Sequence, residues 1–121
     1  MPWNFHNKTP VYMQIVAHIR ADVLEGRYPS DTQIPPVRQL AMEAGVNPNT
    51  MQRAMTELER EGLLYTHGTA GRFVTADTEI LRKARIQMHN EVMRTLLDEA
   101  KAMGVTTEEL IAFIQREGET S

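Results

Sequence analysis

Asn49, Gln52, Arg53 and Thr56 carry the most specific chemistry in this sequence. They recur at helical spacing and so share one face, which holds amides, a hydroxyl and a guanidinium but no acid. Such a set suits the edges of DNA bases in a major groove, since arginine matches guanine and asparagine or glutamine matches adenine. It equally describes an ordinary solvated helix face, and this stretch alone leaves both readings open. Arg53 has a further option, an intrahelical ion pair with Glu57 four residues on. Thr50 is placed either to bond a phosphate or to satisfy the backbone of the first turn.

The elements around these residues sharpen the choice. Met51, Ala54, Met55 and Leu58 repeat at the same spacing on the opposite side and predict a buried face. Asn47 is a helix cap, Pro48 suits the first helical position, and Gly62 is a good stop. Before this helix, Val37, Leu40, Ala41 and Ala44 form the inner side of a short helix, with Arg38 and Gln39 pointing elsewhere. Gly45-Val46 gives a sharp turn between the two. Upstream, Thr9-Pro10 reads as a cap followed by proline. It opens an amphipathic helix with Ile15, Ile19 and Val23 inward, flanked by Tyr12, Val16 and Leu24, that ends near Glu25-Gly26. Trp3 and Phe5 are expected to pack on that helix. Arg27 to Pro36, punctuated by prolines, reads as a loop. Downstream, LLYTH and RFVT are strand-like and joined by Gly68-Thr69-Ala70-Gly71, a β-hairpin pattern. Three helices and then a hairpin is the order of a winged helix-turn-helix. On the hairpin, Tyr65 and His67 are expected to pack or face water.

Asp77 or Thr78 caps a long helix running to about Met103, where Gly104 ends it. Leu81, Ala84, Met88, Val92, Leu96, Ala100 and Met103 form one stripe, widened by Ile86, Met93 and Leu97. Thr106 with Glu109 is a capping box for a last helix bearing Leu110, Ile111, Phe113 and Ile114. The long helix spans about 40 Å, more than a small domain needs for its own closure. Two helices cannot bury this much apolar surface on each other, so a homodimer through this segment is expected, with Leu81, Met88, Val92, Leu96 and Ile114 at its interface; the alternative is that the long helix folds back onto the first domain's core. Met88, Met93 and Met103 read as flexible core packing rather than a ligand-sensing surface.

The 121 residues fit one domain, or one small domain with an appendage. With no cysteine there is no disulfide scaffold, thiolate metal site or cysteine nucleophile. No apolar run approaches the roughly 18 residues of a membrane span, and MPWNFHNKTP has no signal-peptide pattern, so a cytoplasmic protein is expected. The net charge of −3 divides unevenly. Residues 1–75 balance seven Lys/Arg against seven Asp/Glu, and residues 76–121 hold six against nine, so the acidic excess lies in the tail. His6, His18, His67 and His89 lack a paired metal spacing, and no glycine-rich loop follows a strand. No metal, cofactor or catalytic activity is expected. Glu57-Leu58-Glu59-Arg60-Glu61 reads as a solvated helix face rather than a catalytic pair.

The segments TPVYMQIVAHIRADVLEG, IPPVRQLA, GVNPNTMQRAMTELEREGLLYT and GRFV, in this order and spacing, resemble the GntR family of bacterial transcriptional regulators. The match spans about residues 9–75, and the short two-helix tail resembles the YtrA-like subfamily. The resemblance implies a winged helix-turn-helix that binds operator DNA as a dimer, a C-terminal pair of helices that dimerises, and repressor action. It places DNA contacts at Arg38, at Asn47, Asn49, Thr50, Gln52 and Arg53, and at Gly71 of the wing. This chain departs from the family pattern in places. Pro36 stands where serine is usual, Asp31 where a loop glycine is usual, and Thr69 where glycine is common. Arg72 replaces a common threonine, and is a candidate for a phosphate or minor-groove contact of its own.

The sequence therefore predicts a mainly α fold with a small β-hairpin. A winged helix-turn-helix over residues 1–76 precedes a two-helix dimerisation segment over 77–121. The expected function is a sequence-specific DNA-binding regulator, a repressor that binds a palindromic double-stranded DNA operator as a homodimer. The alternative is a protein-interaction module that docks through the winged helix and the Met-rich tail. No effector follows from the sequence.

Overall fold

The computed structural model describes residues 2–119. In chain order it forms helices α1 (Val11–Leu24), α2 (Val37–Ala44) and α3 (Pro48–Arg60), strands β1 (Leu64–Thr66) and β2 (Arg72–Val74), and helices α4 (Thr78–Ala102) and α5 (Thr107–Gly118). These divide into two compact units, Met1–Ala84 and Arg85–Ser121.

The first unit is a winged helix built on one core. Ile15, Val16, Ile19 and Val23 of α1, Leu40, Ala41 and Ala44 of α2, and Met51, Ala54, Met55 and Leu58 of α3 are all buried. Full burial of one such large side chain contributes roughly 1.5–3 kcal/mol, so α3 is held chiefly by its inner face. Ile34, Leu63, Leu64 and Val74 close the core from the loop and hairpin side. Ile80, Leu81 and Ala84 pack against the same cluster, so the first two turns of α4 belong to this unit. Leu81, from the stripe expected at a tail interface, is half-buried here.

The hairpin pairs Leu64 with Val74, Tyr65 with Phe73 and Thr66 with Arg72 in antiparallel register. The segment expected to be a plain loop does more than connect helices. Asp31 N–H bonds Val74 O at 2.8 Å, Val74 N–H bonds Thr32 O at 3.0 Å, and Ile34 N–H bonds Arg72 O at 3.0 Å. Beside the two-stranded sheet, this run thus lies along β2 and meets it in an isolated antiparallel bridge at Gln33 and Phe73. Its prolines flank the paired residues, which leaves the required N–H groups intact. Asp31 adopts a left-handed backbone (φ 62°), as its place at a usual glycine position requires.

The helix ends follow their sequence signals with one exception. Asn47 accepts the Asn49 N–H at 2.7 Å, with Pro48 opening α3. Asp77 accepts the Glu79 N–H at 3.0 Å at the start of α4. Thr106 and Glu109 form the reciprocal capping box of α5 at 3.1 and 3.0 Å. Thr9, however, does not cap α1. Pro10 occupies the N-cap position, which sets Thr9 one residue outside the helix, and the Gln14 amide takes the Thr9 carbonyl at 2.9 Å. Trp3 packs on α1 as expected, its indole stacked on His18 at 3.8 Å between centroids.

Among its described residues the second unit has none that is buried. Val92 is 64% exposed, Leu96 49% and Ile114 51%. Met93 and Met103 are 57% and 85% exposed, so they pack in no core of the single chain. The two helices of this unit have no third element to enclose the stripe. No helix among the described residues is long and apolar enough to cross a membrane.

Candidate nucleic-acid interface

Burial of Met51, Ala54, Met55 and Leu58 turns the other side of α3 outward. Asn49, Gln52, Arg53 and Thr56 are accordingly all exposed, and Thr50 is half-buried at their edge. Asn47 is spent on capping the helix, which leaves its amide nitrogen outward at the first turn. Gln52 and Thr56 touch through a long 3.5 Å hydrogen bond that any better partner would displace.

Arg53 does not pair with Glu57. Its guanidinium lies over the Tyr12 ring of α1, 3.8 Å from the centroid, while Arg60 takes the Glu57 carboxylate. A stacked guanidinium keeps its N–H groups in the ring-parallel plane, free to bond outward, and is worth roughly 0.5–1 kcal/mol at an exposed site. Val11, Tyr12, Asn49, Thr50 and Arg53 line a shallow depression of about 300 Å³ on this face.

The acids at the far end of α3 are not a plain solvated face, as the sequence suggested. Glu57 pairs with Arg60, Glu59 with Arg72, and Glu61 with Arg20 at 2.8 Å, and each of these carboxylate side chains is only 28–30% exposed. Hydrogen bonding from Arg60 holds the Glu57 carboxyl below its ordinary range. Each of these negative charges thus sits beside a guanidinium. Arg38 and Arg53 form no ion pair among the described residues.

Arg38 is exposed on the first turn of α2. Pro36 precedes that helix without a side-chain cap, so its first N–H groups are not occupied by a capping oxygen. Across a cleft of about 430 Å³ lies the wing, with Gln33, Pro36, Thr69, Gly71 and Arg72 among its lining residues. Gly71 has φ 115°, and a Cβ there would stand 2.8 Å from the Gln33 amide nitrogen. Glycine is required at this turn by backbone conformation before any contact with DNA is considered. Tyr65 stacks on Phe73 and donates its hydroxyl to Asp31 at 2.9 Å, which raises its pKa above the ordinary phenol value.

Asn49, Thr50 and Arg53 line one depression, and Gly71 lines the separate wing cleft, while Arg38 is exposed on α2. Arg72 lines the wing cleft beside Gly71, with its side chain 19% exposed and its Nε turned onto Glu59. Reasoning from sequence missed Tyr12, Gln33 and Glu59, which hold Arg53, the wing tip and Arg72. Their partners lie 41, 37 and 13 positions away, beyond any local pattern.

The model of the bacterial regulatory proteins of the gntR family matches residues 11–74. This chain belongs to the GntR family. Among relatives, it is 32% identical over 110 residues to the HTH-type transcriptional repressor YtrA of Bacillus subtilis, covering 90% of this chain and 85% of that protein. It is 31% identical over 111 residues to the uncharacterized HTH-type transcriptional regulator YhcF of the same organism, covering 92% of each. Among solved structures, a GntR family transcriptional regulator from Listeria monocytogenes superposes with a TM-score of 0.82 at 29% identity, over 93% of this chain and 98% of that one. The AraR DNA-binding domain in complex with operator ORR3 matches 62% of this chain and 90% of its own length, with a TM-score of 0.54 and 29% identity. The chain is a DNA-binding transcriptional regulator of this family, which comprises regulators and not enzymes.

Proposed function

We propose that the protein is a homodimeric repressor of a palindromic operator. In each subunit the start of α3 enters a major groove, where Asn49, Gln52 and Arg53 read base edges. Arg38 and the first amides of α2 hold phosphate, Asn47 and Thr50 anchor the helix end, and Gly71 carries the wing close to the backbone. The observation that carries the reading is the two-sidedness of α3, with four fully buried apolar residues behind an exposed, acid-free face. Repressor action is supported by similarity to YtrA. Dimerisation is supported by the second unit, whose apolar Val92, Leu96 and Ile114 stand exposed, with Met88 only half-buried.

Selection of bound DNA from a random pool tests this directly. The expected product is an inverted repeat whose half-sites lie roughly 34–36 Å apart, one turn of DNA. An asymmetric or single half-site motif would contradict the dimeric reading, and no enrichment at all would contradict operator binding.

A further inference from the structure

The first unit holds an ion pair that joins the recognition helix to both strands of the wing. Thr66 of β1 and Arg72 of β2 stand opposite each other in the hairpin register. Both reach the same carboxylate oxygen of Glu59 on α3, Thr66 through its hydroxyl at 3.1 Å and Arg72 through its Nε. On the other side of the wing, the Gln33 amide donates to the Ala70 carbonyl at the tip. The base of the hairpin is held by buried Leu64 and Val74 and by backbone bonds from residues 31–34, and the Glu59 and Gln33 contacts tie its outer part.

We infer that Arg72 is a positioning residue of the DNA-binding surface, acting through Glu59 to fix the wing against α3, rather than a DNA contact in its own right. The inference rests on the operator-binding reading above. Arg72 has its Nε committed to Glu59 and its side chain is only 19% exposed. Glu59, 30% exposed, is in turn the one carboxylate of α3 bonded to the wing. Its charge, without Arg72, would face the same phosphates that the wing approaches. The pair therefore does two things at once, holding the hairpin and neutralising an acid beside the groove.

The two roles of Arg72 predict opposite signs when Glu59 is removed. With the full-length protein and operator DNA recovered by selection, affinity is measured across a salt series for wild type, Glu59→Ala, Arg72→Glu, Glu59→Arg and the double reversal. In the free protein, amide exchange is followed at His67 and Ala70, whose N–H groups close the wing turn. On the positioning role, Glu59→Ala weakens operator binding about tenfold although it removes a negative charge. The salt slope stays unchanged, and both wing amides exchange faster at an unaltered melting temperature. Arg72→Glu weakens binding further. The double reversal then recovers more affinity than Glu59→Arg adds by itself. Tighter binding by Glu59→Ala, with a salt slope steeper by about one phosphate, would overturn the inference by making Arg72 a phosphate ligand. Wild-type affinity in Glu59→Ala would also overturn it, as would a double reversal no better than Arg72→Glu. If Arg72→Glu does not fold, the Glu59→Ala measurements decide alone. Failure to recover any operator would count against the regulator reading and this inference together, whereas an operator bound regardless of the pair counts against this inference only.

Discussion

The two units of this chain use the same apolar residue types to opposite ends. In the first, Met51 and Met55 are fully buried among three helices and a hairpin. In the second, Met93 stands on a helix with no buried residue, and Met103, one residue past its end, is 85% exposed. Three helices crossing one another, closed by a hairpin and the return of the 31–34 segment, can enclose a core. Two helices leave one side of each stripe open. Apolar periodicity thus shows which face seeks burial, and the number of neighbouring elements decides whether the chain can supply it.

Paired truncations sharpen this contrast most. Met55→Ala should cost about 2–5 kcal/mol of unfolding free energy through lost burial and a cavity. Met93→Ala should leave the first unit's unfolding transition in place, as read by urea titration of each variant. Equal losses would show that the second unit has a core of its own. Next comes Leu96→Asp, which places a charge in the exposed stripe. Sedimentation should report a monomer, and operator affinity should fall about a hundredfold, or roughly 3 kcal/mol, while the melting of the first unit is kept. A dimer that survives would move the interface elsewhere.

Within the first unit, Arg53→Ala should relax base preference by about 1–3 kcal/mol at one position of the selected motif. A uniform loss on every sequence would reduce Arg53 to a backbone contact. Asn47→Ala removes the cap of α3 and should lower stability by about 1 kcal/mol in thermal or chemical unfolding.

The smallest effect concerns the second unit and pH. Its hydrogen bonds with Thr106, from the backbone N–H first, hold the Glu109 carboxyl below its ordinary value. A depressed folded-state pKa means stabilisation present above the ordinary carboxylate range and lost as pH falls through the lowered value. The helicity of α5 should therefore decline on acidification, and Glu109→Gln should blunt that dependence in circular dichroism.

Much of the site was legible in the sequence because it depends on short-range rules. Helical spacing alone separates Met51, Ala54, Met55 and Leu58 from Asn49, Gln52, Arg53 and Thr56. Caps at Asn47 and Thr106 and the stop at Gly62 follow from side-chain chemistry within a few residues. Most of the misreadings involve distance along the chain. The 31–34 segment looked like a loop because pairing with β2 is a tertiary event. Glu57, Glu59 and Glu61 looked solvated because two of their three arginine partners come from α1 and the wing. Thr9 was misplaced as a cap by a single position, the margin within which local signals for helix starts compete.

What the sequence determined by itself was the order of elements, the two faces of α3 and the apolar stripe of the tail. Those are periodic or nearest-neighbour properties, and each is dictated by backbone geometry and side-chain type. The tertiary structure alone decided that Arg53 rests on Tyr12, that Gln33 holds the wing tip, and that Arg72 turns onto Glu59. Each of these pairs joins residues that only packing brings together, where the choice of partner depends on which guanidinium reaches which ring or carboxylate once the core has closed.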